Sequence, residues 1–271
     1  MIPIDLSGKN ILITGGTQGI GKAIALQFAE AGAKVFLTYK WGTADSNELL
    51  AEFKGIGATI PELIEADVSV DEDTDSLMAS IESSANSIDV FISNVGFAPQ
   101  INTLDDYKKR SLFKTFEYSS WPLIEYTKRI KGRFGSYPRH IVGISSDGPD
   151  HFYRGYDYVS AAKALLEHFS KYLSMHLLPE GSRVNIMRFG NVKTPSFNAI
   201  FGEAFFEYAR QNGVTEEFFL TPQECGKAVL ALCSGLMDAI NGQIIAVDYG
   251  LPFMDNLMMR YIRSTDQTET S

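Results

Sequence analysis

Only two of the 271 residues are cysteines, Cys225 and Cys233, and they stand eight apart. That number cannot frame a disulfide scaffold, so a reducing, cytoplasmic setting is expected, with both as buried packing thiols. Histidine is sparse as well. His140, His151, His168 and His176 lack metal-ligand spacing, so no metal site is expected. No apolar run approaches the ~20 residues that span a bilayer. The opening MIPIDLSGKN lacks the charged and apolar regions of a signal peptide. Positive charge is in deficit: 24 Lys and Arg stand against 33 Asp and Glu, a formal net charge of -9. Such a chain repels phosphate backbones, which argues against generic nucleic-acid binding. Internal repeats and low-complexity linkers are also missing, and the length suits one large α/β domain.

What is present is an alternation. Short apolar runs at 10–14 (NILIT), 34–39 (KVFLTY), 61–67, 89–93 (DVFIS), 140–145 (HIVGIS), 183–188 (RVNIMR) and 243–248 (QIIAVD) predict seven strands. Helical periodicity fills the intervals at 19–31, 46–54, 71–85, 104–131, 156–178 and 222–233, with a break expected near Pro122. Buried strands separated by helices predict a single doubly wound Rossmann-type α/β domain: a seven-stranded parallel sheet with helices on both faces. The domain is expected over 1–254, with a polar tail at 255–271.

Between the first strand and the first helix runs Thr14-Gly15-Gly16-Thr17-Gln18-Gly19-Ile20-Gly21. A dinucleotide pyrophosphate needs a tight turn, a close backbone approach and exposed helix N-terminal N–H groups, which glycines at 15, 19 and 21 supply. With this loop the chain resembles the short-chain dehydrogenase/reductases over about residues 5–250. Further matches follow in order: Asp67-Val68, Ser93-Asn94-Val95-Gly96, Ile144-Ser145-Ser146, Lys163 in SAAKAL, Gly190-Asn191-Val192-Lys193-Thr194-Pro195, and Val247-Asp248-Tyr249-Gly250. Each falls at the end of an expected strand except the lysine, which lies in the helix after the fifth. The resemblance implies a nicotinamide dinucleotide held by Gly15, Thr17, Gln18, Gly19, Ile20 and Gly21. Past the second strand it implies Tyr39 and Lys40, and past the third and fourth Asp67, Val68, Asn94 and Gly96. Lys163 and then Gly190, Val192 and Thr194 complete the set.

An NAD site normally places an acid about 20 residues past the glycines. The stretch here is Leu37-Thr38-Tyr39-Lys40-Trp41-Gly42, with no acid before Asp45. Lys40 could pair with a 2′-phosphate, so NADPH is expected. The competing reading is a solvated surface lysine. Gln18 stands where many NADP-using relatives carry a basic residue.

The family's usual catalytic pair is Tyr-x-x-x-Lys, but Val159 lies four before Lys163. At ~100° per residue, Tyr158 lies roughly 140° around a helix from the lysine, whereas Tyr156 lies within about 20°. Tyr156 with Lys163 makes Tyr-x6-Lys, which resembles the enoyl-acyl-carrier-protein reductase branch. That resemblance implies Tyr156 as proton donor and Lys163 as its electrostatic and ribose-binding partner; Ser146 falls where ordinary members of the superfamily keep the carbonyl-polarising serine, a position at which some enoyl reductases carry tyrosine. Tyr153 and a chain with no catalytic tyrosine remain alternatives. Ser119 aligns where ordinary members carry asparagine.

A segment at about 195–220 is expected to cover the substrate, with Phe197, Ile200, Phe201, Ala204, Phe205 and Tyr208 on one helical stripe. Plain core packing is the alternative. Phe97, Ala98 and Pro99 are expected on the opposite wall. Basic runs at 108–110 and 128–133 suit either a solvated face or an acidic carrier protein bearing an acyl-thioester substrate. A small-molecule substrate and a ketoreductase or alcohol dehydrogenase activity remain open beside enoyl reduction, as does a catalytically silent NADP-binding protein. By family analogy a homotetramer is expected.

Overall fold

The computed structural model describes residues 3–41, 45–194, 197, 202–256, 258–260 and 262. The strands are β1 (Asn10–Ile13), β2 (Lys34–Tyr39), β3 (Glu62–Glu65), β4 (Val90–Ser93), β5 (His140–Ser146), β6 (Arg183–Phe189) and β7 (Ile244–Val247). All pair in parallel, in the order β3-β2-β1-β4-β5-β6-β7. The order reverses between β1 and β4, which opens a crevice at the C-terminal ends of those strands.

The helices in the described residues are α1 (Gly19–Glu30), α2 (Ser46–Gly55), α3 (Asp71–Glu82), α4 (Lys109–Ser119), α5 (Trp121–Phe134) and α6 (Asp157–Leu177). They continue with α7 (Glu203–Gln211), α8 (Pro222–Cys233) and α9 (Leu251–Met254). Alternate strand residues face opposite layers, and both layers are apolar. On β1, Ile11 and Ile13 join a core with Ile24 and Phe28 of α1, Phe53 of α2 and Val229 of α8. Leu12 faces the other core, with Leu77 of α3, Tyr126 of α5 and Leu166 of α6. Cys225 and Cys233 are buried and unbridged in the first core, where burial pushes the Cys225 thiol up to about 12. The expected helical stretch at 104–131 divides at Ser120, whose Oγ donates to the Ala162 carbonyl at 2.7 Å. Pro122 sits in the first turn of α5, where a missing N–H costs nothing. No helix among the described residues is long and apolar enough to cross a membrane.

Candidate active site

The glycine loop forms a cradle at the end of β1. Gly15 and Gly19 adopt φ of 62° and 55°, left-handed values that glycine takes without strain. A Cβ on Gly21 would lie 2.4 Å from the Gly15 carbonyl oxygen and 2.7 Å from Asn94 Nδ2. Asn94 ties the loop to β4: its Nδ2 donates to the Thr14 and Gly15 carbonyls at 3.0 Å each. Gln18 precedes α1 but makes no side-chain cap, and the first turn carries no acid. Thr17 is buried beneath the loop, while Ile20 is half-buried. The α1 N-terminus therefore keeps its N–H groups and positive dipole end open beside a backbone close enough for a pyrophosphate. These residues fit a dinucleotide.

At the end of β5 the candidate catalytic groups converge. Ser146 Oγ and Tyr156 Oη are 3.1 Å apart and share a hydrogen bond. Lys163 is buried in α6 and donates from Nζ to the Ile144 carbonyl at 2.7 Å. Gly96 keeps β4's end close: a Cβ there would lie 3.6 Å from Lys163 Nζ. Tyr156 caps α6 at φ −102° and ψ 7°, outside the helical turns. The angular argument from an unbroken helix therefore does not describe it; the loop-to-helix junction delivers its ring instead. Gly148 makes the space, since a Cβ there would lie 2.6 Å from Tyr156 Cε1.

The electrostatics differ from expectation in one respect. Burial pushes Lys163 down to about 8, with Glu167 opposing. Burial also raises the Tyr156 phenol above its ordinary value, the Ser146 bond opposing and Asp147 adding to the rise. The Tyr156 shift is therefore towards the neutral phenol, away from the phenolate that a charged Lys163 would favour. Tyr158 is buried, donates to the Lys108 carbonyl at 3.1 Å and accepts from the Lys108 N–H at 2.5 Å, which fixes the start of α4. Tyr153 donates to Asp147 Oδ2 at 2.7 Å and stands edge-on to Tyr156. Ser119 Oγ accepts from the Phe97 N–H at 3.0 Å and donates to its carbonyl at 3.2 Å, which anchors the segment after β4.

A buried polar network behind the site was missed in the sequence. Glu167 accepts from Ser145 Oγ at 2.7 Å and from Arg188 Nε and Nη2 at 3.0 and 2.6 Å. Arg188 reaches on to Asp150 in the loop that leads to Tyr153 and Tyr156. The spacing of Glu167 four past Lys163 was the available signal, because it puts both on one face of α6.

At the end of β2, Lys40 is not free. Its Nζ lies 3.1 Å from Glu65 Oε1 and 3.5 Å from Asp73 Oδ2, and these partners raise its pKa, the Glu65 hydrogen bond most. Tyr39, half-buried, pairs in register with Glu65. The Asp67 carboxylate accepts from Tyr118 Oη, Ser69 N and Ser69 Oγ at 2.9, 2.9 and 2.8 Å. Val68 lies in the second core.

After β6, Gly190 passes so close to β7's end that a Cβ would lie 2.8 Å from Asp248 Cβ. Val192 bridges to Leu220, and Thr194 Oγ1 accepts from the Phe197 N–H at 3.1 Å. Ile200 and Phe201 of the expected stripe lie outside the described residues. The rest is rotated. Phe205 and Phe206 pack against Phe197 and Phe219 and Ala209 is buried, whereas Ala204 and Tyr208 are exposed. Phe97 does not face this cluster; its ring packs with Trp41 and Tyr118. Of the basic runs, Arg129, Lys131 and Arg133 pair with Asp75, Glu180 and Glu82. Lys109 instead lies over the ring of Phe113.

Comparison with known proteins bears on the family and the fold. The family model described as enoyl-(acyl carrier protein) reductase matches residues 15–252. Among characterised relatives, enoyl-[acyl-carrier-protein] reductase [NADH] FabI of Aquifex aeolicus is 29% identical over 92% of this chain and 93% of its own. The 3-oxoacyl-[acyl-carrier-protein] reductase FabG of the same organism is 31% identical over 92% of this chain and 99% of its own. A solved 7α-hydroxysteroid dehydrogenase, complexed with NADH and 7-oxo glycochenodeoxycholic acid, superimposes with a TM-score of 0.80 at 22% identity, covering 92% of this chain and 96% of that one. With the seven-stranded sheet, the glycine cradle and these matches together, the chain belongs to the short-chain dehydrogenase/reductases, in the family described as enoyl-(acyl carrier protein) reductase, and is an oxidoreductase.

Proposed function

We propose that this oxidoreductase uses NADPH to reduce an activated C=C bond in an enoyl thioester or a conjugated biosynthetic intermediate. The observation that carries the reading is the Tyr156–Ser146 hydrogen bond at 3.1 Å beside buried Lys163, on a Tyr-x6-Lys spacing. The dinucleotide supplies hydride. Tyr156, a phenol that is protonated at neutral pH and whose burial favours that form further, donates a proton to the developing enolate oxygen. Ser146 orients that hydroxyl. Lys163, held towards the β5 end by Ile144, binds ribose hydroxyls. Gly190, Val192 and Thr194 shape the nicotinamide end, and the Phe197, Phe205, Phe206 and Phe219 cluster offers an apolar wall beyond it.

A ketoreductase is the second reading, and Ser146 favours it, because a serine bonded to the donor tyrosine also polarises a carbonyl. Delivering hydride to the β-carbon of an enoyl group or to a carbonyl carbon needs the same donor at a different distance. A panel of enoyl- and 3-oxoacyl-thioesters, free and on a carrier protein, read by loss of NADPH absorbance, separates the two. Turnover of 3-oxoacyl substrates alone would overturn the C=C assignment, and cofactor binding without turnover of either class would favour a silent binding protein.

The NADPH preference rests on Lys40 and on the missing acid at 37–42. A 2′-phosphate takes Lys40 in exchange for Glu65, so the preference is shallow and rises when Glu65 is neutralised. A homotetramer is part of the same proposal. Exposed Phe113, Trp121, Tyr172 and Met175 on α4, α5 and α6 are the apolar surface available for it.

A further inference from the structure

The segment 147–156 joins β5 to α6 and ends on Tyr156. Residues 150–154 are exposed, so apolar packing does little to fix its path. Polar ties do that instead. Tyr153 donates to Asp147 within the segment, and Ser160 Oγ of α6 donates to the Gly148 carbonyl at 2.9 Å. Another tie runs to the sheet: Arg188 of β6 donates from Nη1 to Asp150. Arg188 can hold Asp150 in one place because its own place is over-determined. It pairs in register with Ser145 of β5, and its side chain is 15% exposed against 61% for Asp150. Its Nε and Nη2 donate to the two carboxylate oxygens of buried Glu167 in α6, and Ser145 Oγ donates to the same carboxylate. A planar guanidinium gripped on two donors by a buried carboxylate cannot turn, so the direction of Nη1 is set. Stability alone does not call for such a pair, since apolar residues of similar size often serve a core as well or better. A fixed donor aimed at an exposed loop residue is what apolar residues could not supply.

We propose that Arg188 and Asp150 are positioning residues for Tyr156: the Glu167–Arg188 pair anchors Asp150, and Asp150 holds the 147–156 segment so that the phenol meets Ser146. The proposal rests on the reading of Tyr156 as proton donor and adds what sets the donor's place. Neither residue touches the reacting atoms. Both act through the path of the segment, which fixes where the Tyr156 ring leaves the start of α6.

Asp150 is the residue to vary, because it is exposed and its loss leaves the Glu167–Arg188 pair in place. With whichever enoyl or 3-oxoacyl thioester the parent reduces, Asp150→Ala should lower kcat about tenfold while NADPH affinity by calorimetry holds, since a misplaced donor slows the chemical step. Asp150→Asn keeps an acceptor for Nη1 and should fall between the two. In a Tyr156→Phe background the same Asp150→Ala change should cost less than about twofold, because the hydroxyl it positions is gone. In the free protein, amide hydrogen exchange over 147–156 should quicken in Asp150→Ala and stay level in the interior of α6. Parent-like kcat in Asp150→Ala, an undiminished loss in the Tyr156→Phe background, or unchanged exchange over 147–156 each overturns the proposal. A parent that reduces neither thioester class overturns the reductase reading instead, and the exchange comparison still decides whether Asp150 holds the segment.

Discussion

Lys163 carries the sharpest consequence at the scale of single residues. Its ammonium is desolvated, so its pKa falls to about 8 instead of the usual value near 10.5, and Glu167 limits the fall. The kcat/KM should fall along an alkaline limb centred near pH 8, because the discharged amine no longer binds ribose as a cation. Glu167→Gln removes the opposing carboxylate and should move that limb to lower pH; a limb that stays in place would show that Glu167 does not act on Lys163. Linkage gives the matching sign for stability. A lysine with a depressed folded pKa costs stability below about pH 8, and the cost is relieved between pH 8 and 10.5. The gain from Lys163→Met over the parent, followed by denaturant unfolding, should therefore shrink across that window. Tyr158→Phe should cost roughly 1–3 kcal/mol, because it strands the Lys108 backbone groups, with little change in kcat. At this scale the sequence was legible where spacing alone places a group and opaque where a junction does. Lys163 and Glu167 follow helical spacing. Tyr156 caps its helix, and the space for its ring comes from Gly148, in the loop before α6 where no helical period applies.

Strand and helix positions were readable because each buried strand is a short apolar run and each helix repeats its apolar face. The division at Ser120 was foreshadowed by Pro122. Two elements departed from the pattern for physical reasons. The α7 stripe drawn through Ala204 and Tyr208 leaves both exposed, because Phe205 and Phe206 turn to Phe219, a residue outside the helix whose position no local period reveals. Lys40 loses its freedom to Glu65, which lies 25 residues on but is in register with Tyr39 across β2 and β3. Two variants test the elements. Gly21→Ala forces a Cβ to within 2.4 Å of the Gly15 carbonyl oxygen, so it should abolish measurable dinucleotide binding and destabilise the fold by roughly 1–3 kcal/mol. Retained binding in calorimetry would contradict the cradle. Glu65→Gln removes the nearer of the two carboxylates on Lys40, leaving Asp73, and should increase the NADPH-over-NADH affinity ratio; a ratio that falls or stays level would mean Lys40 does not read the 2′-phosphate.

Across the whole molecule, the crevice between β1 and β4 joins parts more than a hundred residues apart: the glycine loop after β1 and the Ser146–Tyr156–Lys163 group after β5. The family and its fold are shared with both enoyl and 3-oxoacyl reductases, so the architecture does not distinguish C=C from C=O reduction. Assembly belongs to this scale too. Light scattering at micromolar concentration should give the mass of a tetramer of a 30.0 kDa chain, and a monomer would contradict that reading. The central claim is that Tyr156 is the proton donor of an NADPH-dependent enoyl reductase. The most direct measurement is steady-state loss of NADPH absorbance with an enoyl thioester, parent against Tyr156→Phe, with NADPH affinity measured alongside. The account predicts a roughly 10²–10⁴-fold fall in turnover with affinity preserved, the usual worth of a positioned acid. Full activity in Tyr156→Phe, with activity lost in Tyr153→Phe, would contradict it.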